Sequence, residues 1–204
     1  MCGGLVLTEM LTVWCWVWDS VLPARRVDQN PQKPPWSWPT RPWARLHLDY
    51  AGPMEGRMVL VTIDAHSKWI EAVHTTTATS AAVIEVCRER FAQFGLPETV
   101  VTDNGSCFVS SEFEAFLKVN GIRHVTTAPY YTASNRLAER AVQIAKAGLK
   151  RNLEGTFRSR LRKTLATHIL TPHATTGTIP CELLFGRLIR TRLDFLRPII
   201  QQTR

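Results

Sequence analysis

The sequence predicts an α/β domain in which helices flank a mixed five-stranded sheet, an antiparallel meander followed by β-α-β-α units. Three observations lead to this class. Three strand-like runs follow one another with short connections, which is typical of a meander. Two more strand-like runs then alternate with amphipathic helices, which favours helices layered on a sheet. The 204 residues, 45% of them hydrophobic, suffice for one domain of about 150 residues with a tail.

The segment before the domain, residues 1–42, is predicted to be an apolar lead-in and a linker. The lead-in, 4–22, contains Glu9 and Asp19 and has no cationic start, which argues against a membrane-spanning helix and a good secretory signal. Residues 31–43 hold five prolines and three tryptophans. Prolines disfavour helix and central strand, so we expect an extended arm that packs against the domain. A ligand for a proline-recognising domain is the alternative.

The meander begins with the strand "RLHLDY", residues 45–50. Because side chains alternate between the two faces of a strand, Asp49 is predicted on the face opposite Leu46 and Leu48. The other two strands of the meander are predicted at 57–64 and 69–75.

The β-α-β-α part begins with a helix predicted over 80–94, which Thr79 or Ser80 can cap. A strand over 99–102 follows and ends at Asp103, in the stretch "VVTDNGSCF".

A second helix is predicted over 110–121, with Ser111 and Glu114 as a capping box and Gly121 at its end. The fifth strand is predicted over 122–126.

The last predicted helix, 134–153, is amphipathic, and Ser134 or Asn135 can cap it. Steps of four residues give its buried stripe: Leu137, Ala141, Ala145, Leu149 and Leu153. Steps of four, three and four give its polar face: Glu139, Gln143, Lys146 and Lys150. Ordinary surface ion pairs produce such a face too, so the polar stripe alone does not indicate function.

The net charge of +8 is distributed unevenly along the chain. Residues 1–139 carry −2, whereas residues 140–204 carry +10. A one-sided basic segment favours a polyanionic partner, with nucleic acid ahead of a membrane surface, although a solvated basic tail gives the same pattern. The domain is predicted to span 43–198, with a basic C-terminal helical part and a tail over 199–204.

The five cysteines lie far apart, and the sequence contains no Cys-x-x-Cys pair. This spacing predicts neither a disulfide framework nor a zinc site, and it favours a reducing, intracellular location.

Three acidic residues lie at positions of the predicted fold that can be close in space. Asp49 lies inside the first strand, Asp103 ends the fourth strand, and Glu139 begins the last helix. If the first and fourth strands are neighbours, the three carboxylates can meet, and Mg²⁺ or Mn²⁺ is the cation that suits such oxygen ligands. The alternative for Asp103 is an ordinary turn residue in Asp-Asn-Gly.

Several stretches in combination resemble the integrase catalytic core of retroviruses and Ty3/Gypsy-type retrotransposons. They are "PWARLHLDYAGP", "VTIDAHSKWIEA", "VVTDNGSCFVSSEFEAFLKVNGIRHVTTAPYYTASNRLAERAVQ" and "TPHATTGTIPCELLFGR". The resemblance implies an RNase H-like fold and a metal-dependent polynucleotidyl transferase that acts on DNA, in integration, strand transfer or end cleavage. It also implies a two-metal Mg²⁺ or Mn²⁺ site without zinc.

The residues that match the family's motif follow from this resemblance. Its three catalytic and metal-binding carboxylates fall on Asp49, Asp103 and Glu139, whereas Asp64 matches no ligand position and is interpreted as structural. The nucleic-acid-binding positions implied on and before the last helix are Asn135, Arg136, Gln143, Lys146 and Lys150. DNA and further copies of the chain are the expected partners, without a membrane, in a nuclear or otherwise intracellular location.

The loop before Glu139 departs from the family pattern His-Pro-x-Ser-Asn-Gly. Tyr131, Thr132 and Arg136 stand where His, Pro and Gly are expected. Arg136 replaces a residue with backbone freedom, which can slow or abolish catalysis. The family's zinc-binding domain and C-terminal barrel are also not recognisable. The alternative function is therefore a catalytically impaired, host-retained integrase derivative that binds nucleic acid or another protein.

Overall fold

The computed structural model of the chain describes residues 37–127, 135–191 and 194. The strands are β1 (Arg45–Met54), β2 (Arg57–Asp64), β3 (Ile70–Thr75), β4 (Thr99–Thr102) and β5 (Arg123–Thr126). The helices are α1 (Ser80–Phe94), α2 (Ser111–Val119), α3 (Arg136–Arg151), α4 (Phe157–Ile169) and α5 (Pro180–Phe185).

The five strands form one mixed sheet in the order β3-β2-β1-β4-β5. Strand β2 pairs antiparallel with β1 and β3, as the predicted meander requires. Strand β4 pairs parallel with β1 and β5. The predicted fold class is confirmed, including the neighbouring positions of the first and fourth strands.

Helices cover both faces of the sheet, because each face presents its own set of apolar side chains. One face packs Leu46, Leu48 and Val100 against α1, α2 and Cys181 of α5. The other face packs residues such as Val59 and Val61 against α3 and α4. The strands are therefore buried between two layers of helix.

The ends of α1 and α2 follow their capping side chains. Thr79 caps α1, as predicted, and its Oγ1 accepts a hydrogen bond from the backbone N–H of Ala82 over 3.3 Å. The predicted cap of α2 was wrong by one residue. Ser110 has the extended backbone of a cap and accepts from the N–H of Phe113 over 3.2 Å, so Ser111 is already helical.

Helix α3 is shorter than the predicted 134–153, and this changes one member of its buried stripe. Ala141, Ala145 and Leu149 are buried against the sheet as predicted. Asn152 ends the helix in an extended conformation, so Leu153 leaves the stripe and is 77% exposed. Its predicted burial was wrong.

Helix α4, within the basic third of the chain, packs closely on α3. A Cβ added at Gly148 would lie 1.9 Å from Cγ2 of Thr164. Asn152 links the two helices, because its Nδ2 donates to Thr164 Oγ1 over 3.2 Å. Arg160 pairs with Glu55 over 2.5 Å and connects α4 to the turn that follows β1.

The end of the proline- and tryptophan-rich segment packs against the domain, as expected for this arm. The indole of Trp43 donates to the carbonyl of Gly95 over 2.9 Å. Lys68 Nζ lies 3.9 Å from the ring centroid of Trp38, a cation–π contact. Residues 31–36 of the segment lie outside the described residues.

Among the helices that the structure describes, none has the length and apolarity to cross a bilayer.

Candidate active site

Asp49 lies in the middle of β1 on the face covered by α3. It pairs with Val61 of β2, and paired residues share a face of the sheet. Val61 belongs to the apolar cluster that α3 completes, whereas Leu46 and Leu48 belong to the cluster on the other face. The predicted orientation of Asp49, opposite to Leu46 and Leu48, is confirmed.

Asp103 follows the last residue of β4, and the parallel register brings it beside Asp49. His47 pairs with Val101, so the same register continued by two residues sets Asp49 against Asp103. The carboxylate Oδ1 of Asp103 accepts the backbone N–H of Gly105 over 3.0 Å, which closes an Asx turn. The turn interpretation is thus correct for Oδ1, and it leaves Oδ2 for a further partner.

Glu139 occupies the first turn of α3 and is exposed. The start of α3 is fixed to β1 by Asn135, whose Nδ2 donates to the carbonyl of Leu48 over 3.5 Å. Asn135 sits at the N-cap position, but its side chain makes no capping hydrogen bond to α3. The predicted local cap is therefore replaced by a tertiary contact that places Glu139 near the edge where Asp49 and Asp103 meet.

The negative charges of Asp103 and Glu139 both act on the carboxyl group of Asp49. Burial first, and then the negative charges of Asp103 and Glu139, raise the pKa of Asp49 to about 6, against the hydrogen bond from Tyr50 and the charge of Lys146. Like charges raise the pKa of a carboxyl because they disfavour its ionised form. An oxygen-preferring divalent cation would remove this repulsion, so the chemistry of the donor set fits Mg²⁺ or Mn²⁺.

The positions of these three carboxylates do not form a complete set of ligands for one ion. Among the described residues, no three His, Cys, Asp or Glu side chains stand close enough together to hold one ion as they are. Glu139 is exposed at the start of its helix, whereas Asp49 and Asp103 are partly buried. Metal ligation by Asp49, Asp103 and Glu139 therefore stays a prediction.

His47 is a buried neighbour of the acidic residues that sequence reasoning did not select. It is 3% exposed, and burial, with the charge of Arg45 next, lowers its pKa to about 4, while the Asn135 side chain acts in the opposite direction. His47 is therefore neutral at pH 7 and does not offset the negative charge of Asp49. A polar residue on the helix-covered face of a buried strand, two positions before Asp49, was the signal that could have identified it.

The predicted polar face of α3 exists. Glu139, Gln143, Lys146 and Lys150 are all exposed, and the charge of Lys146 reaches Asp49 and lowers its pKa. Such a row can follow a phosphate backbone away from the acidic residues.

Asn135 and Arg136, the other two predicted nucleic-acid contacts, differ in accessibility. Asn135 is 4% exposed and bonded to β1, which leaves little of it for a phosphate. Arg136 is exposed and is the first residue of α3. Its backbone is helical, so no glycine-like conformation is required at this position. Tyr131 and Thr132 lie outside the described residues.

Asp64 organises the turn between β2 and β3, as its structural interpretation predicted. It is fully buried, and its carboxylate accepts hydrogen bonds from the backbone N–H groups of His66 and Ser67 and from the Ser67 hydroxyl. Both carboxylate oxygens of Asp64 are thus bonded within its own turn.

The fold and the site define a class: an α/β core with two aspartates on neighbouring parallel strands and a glutamate in the first turn of the helix that covers them. A family profile described as Integrase core domain matches residues 39–132. This chain therefore carries an integrase core domain, and the resemblance deduced from its motifs is confirmed.

Proteins with similar sequences include a cellular protein and a viral polyprotein. The chain is 40% identical over 167 residues to the uncharacterized protein K02A2.6 of Caenorhabditis elegans, covering 80% of this chain and 13% of that protein. It is 30% identical over 174 residues to the Pro-Pol polyprotein of feline foamy virus, covering 78% of this chain and 15% of that one. The chain thus spans less than a sixth of the length of these relatives.

Solved structures share the fold. A chain of the simian T-cell lymphotropic virus intasome, in complex with the PP2A regulatory subunit B56 gamma, superposes with a TM-score of 0.69 at 22% identity. This match covers 93% of our chain and 73% of that chain. The HTLV-2 integrase catalytic core domain, in complex with magnesium in a trimeric form, gives a TM-score of 0.61 at 22% identity, covering 71% and 98%. The RNase H-like fold is confirmed.

Proposed function

We propose that this chain is an integrase-type polynucleotidyl transferase that depends on Mg²⁺ or Mn²⁺ and acts on DNA. The observation that carries the proposal is the raised pKa of Asp49, caused by burial and by the charges of Asp103 and Glu139 within an integrase core. A carboxyl group whose pKa is raised by burial and by neighbouring carboxylates is typical of a functional site. Polynucleotidyl transfer is the chemistry that fits this arrangement of oxygen donors.

Each acidic residue has a distinct part. Asp49 and Asp103 would hold a cation between neighbouring parallel strands, and Glu139 would complete the set from α3. When bound, two divalent ions supply an activated water or DNA 3′-hydroxyl and stabilise the leaving oxygen of an in-line displacement. The protein contributes position and charge, and no side chain acts as a covalent nucleophile.

The exposed face of α3 would hold the DNA backbone beside these acids. Lys146 and Lys150 neutralise phosphates and Gln143 can donate to them, so binding depends on charge more than on base sequence. The related HTLV-2 core in a trimeric form supports assembly of several copies. DNA as the substrate supports a nuclear location.

Incubating the protein with a labelled DNA duplex and Mg²⁺ tests the proposal. We expect metal-dependent strand transfer or end cleavage by the wild type, and only background product from Asp103→Asn, because the amide keeps the Asx turn but loses the charge. Glu89→Gln, an exposed neutralisation on α1, is the matched control and should keep full activity. Equal activity of Asp103→Asn and the wild type would disprove the assignment.

The same assay separates this proposal from the catalytically impaired alternative. The helical backbone of Arg136 shows that α3 accepts this arginine without strain, so we expect Arg136→Gly to leave turnover within a few-fold of the wild type. An inactive wild type that becomes active as Arg136→Gly would instead establish the impaired derivative.

A further inference from the structure

We propose that Thr102 and His124 are positioning residues that fix the Asp103 turn for metal binding, an inference that rests on the proposed function. Thr102 is the last residue of β4 and His124 lies on the adjacent β5. They act on Asp103 from the opposite face of the sheet.

A chain of hydrogen bonds connects β5 to the turn. His124 Nε2 lies 2.9 Å from Thr102 Oγ1, and Thr102 Oγ1 lies 2.9 Å from the backbone carbonyl oxygen of Asp103. The carboxylate of the same Asp103 accepts the N–H of Gly105 over 3.0 Å. The backbone and the side chain of Asp103 are therefore each held by a separate partner.

The direction of each hydrogen bond follows from proton counting. A carbonyl oxygen can only accept, so the single hydroxyl proton of Thr102 is donated to Asp103. Oγ1 must then accept from His124, which requires a proton on Nε2 of the imidazole. Burial lowers the pKa of His124, although Glu114 opposes this, so the ring is neutral at pH 7 and carries one proton.

The surroundings hold this arrangement in place. Thr102 is fully buried, so it has no water to replace its partners. The ring of Phe113 on α2 stands perpendicular to His124 at 5.4 Å between centroids. A rigid strand and a packed ring thus orient the hydroxyl, and the hydroxyl orients the peptide group that begins the turn.

The turn itself has little room to adapt. A Cβ added at Gly105 would lie 3.0 Å from Asp103 Oδ1 and 3.3 Å from Phe108 Cδ2. Rotation of the Asp103 peptide would carry its carboxylate away from the position beside Asp49. Hydrogen bonds behind a ligand set metal affinity by orienting that ligand, and their loss costs about 10–100-fold.

The first test measures Mn²⁺ binding to the protein alone by calorimetry. We expect Thr102→Val, which replaces the hydroxyl with a methyl group of similar size, to weaken Mn²⁺ affinity by about tenfold. His124→Leu should do the same. Thr102→Ser and His124→Gln keep a hydroxyl and a donor, and they should restore affinity to within a few-fold of the wild type.

The second test does not depend on the metal. Long-range ¹H–¹⁵N spectra of the histidine rings should show His124 with its proton on Nε2 at pH 7, and this signal should shift in Thr102→Val. A proton on Nδ1 would overturn the inference.

The two proposals fail in distinguishable ways. Wild-type Mn²⁺ affinity in both Thr102→Val and His124→Leu, together with loss of binding in Asp103→Asn, would overturn only the positioning role. A wild type that binds no Mn²⁺ would overturn the proposed function and the positioning role with it.

Discussion

The side-chain amide of Asn135 donates to the backbone carbonyl of Leu48, which joins the start of α3 to β1 one residue before Asp49. This contact spans 87 positions of sequence and sets where Glu139 stands relative to the strand. A residue at the N-cap of a helix normally serves its own helix. Here it bonds to β1 instead, and this contact adds to the apolar packing that holds α3 against the sheet.

Asn135→Ala should therefore act through stability and helix placement more than through contact with DNA. We expect the free energy of unfolding to fall by about 1 kcal/mol, because the buried carbonyl of Leu48 loses its donor. Urea denaturation measures this, with the exposed Gln143→Ala as the control that should stay unchanged. Unaltered stability combined with weaker DNA binding would show instead that Asn135 contacts the nucleic acid.

The raised pKa of Asp49 predicts how metal-free stability depends on pH. The folded-state pKa of about 6 exceeds the ordinary value of 3.8, so the folded protein binds this proton more tightly than the unfolded chain. The stability that protonated Asp49 contributes should be fully present below pH 3.8, be lost between pH 3.8 and 6, and stay absent above. His47, whose pKa is lowered to about 4, acts in the opposite direction over part of this range, so the effect of Asp49 is measured as a difference from a variant that lacks its carboxylate. Allowing for partial exposure, the fall attributable to Asp49 should be about 1–2 kcal/mol.

Asp49→Asn is the variant that tests this pH dependence. It should be more stable than the wild type at pH 7 without metal, and this difference in stability should develop between pH 3.8 and 6. Thermal denaturation across this pH range measures both effects, and Glu89→Gln serves as the exposed control. An identical pH profile in the wild type and Asp49→Asn would contradict the prediction.

The basic row on α3 predicts salt-dependent, sequence-independent DNA binding. Replacing Lys146 and Lys150 with alanine should weaken binding to every duplex and reduce the slope of log affinity against log salt by up to about two units. Fluorescence anisotropy at several salt concentrations measures the slope. Lys118→Ala, which removes an exposed lysine from α2 in the other helical layer, is the control. If the double variant keeps its affinity and slope, the row is an ordinary solvated face.

The close approach of α3 and α4 makes Gly148 intolerant of a side chain. An added Cβ would stand 1.9 Å from Cγ2 and 2.4 Å from Oγ1 of Thr164, whose side chain is buried. Gly148→Ala should lower the free energy of unfolding by about 3 kcal/mol or force the helices apart. The adjacent exposed Ala147→Ser should change it by less than about 0.5 kcal/mol. Urea denaturation of both variants decides the matter.

The sequence by itself determined the order of strands and helices, the orientation of Asp49, the family and the polar face of α3. The family follows from the resemblance of several motifs, and the others depend on local rules: the two-residue alternation of strands, the helical repeat and the chemistry of caps. Two predicted helix boundaries were wrong, one at the start of α2 and one at the end of α3. Ser110, rather than Ser111, took the cap of α2, and Leu153 fell beyond the end of α3, because sequence patterns fix helix boundaries only to within a few residues.

The tertiary structure alone decided how the chemical groups are coupled. No pattern in the sequence shows that Asn135 turns from its own helix to β1, or that His124 reaches Asp103 through Thr102. The depth at which Asp49 is buried, and with it a pKa of about 6, also follows only from packing α3 against the sheet. Local propensities specify elements, whereas desolvation and hydrogen bonds between distant residues arise only once those elements are packed together.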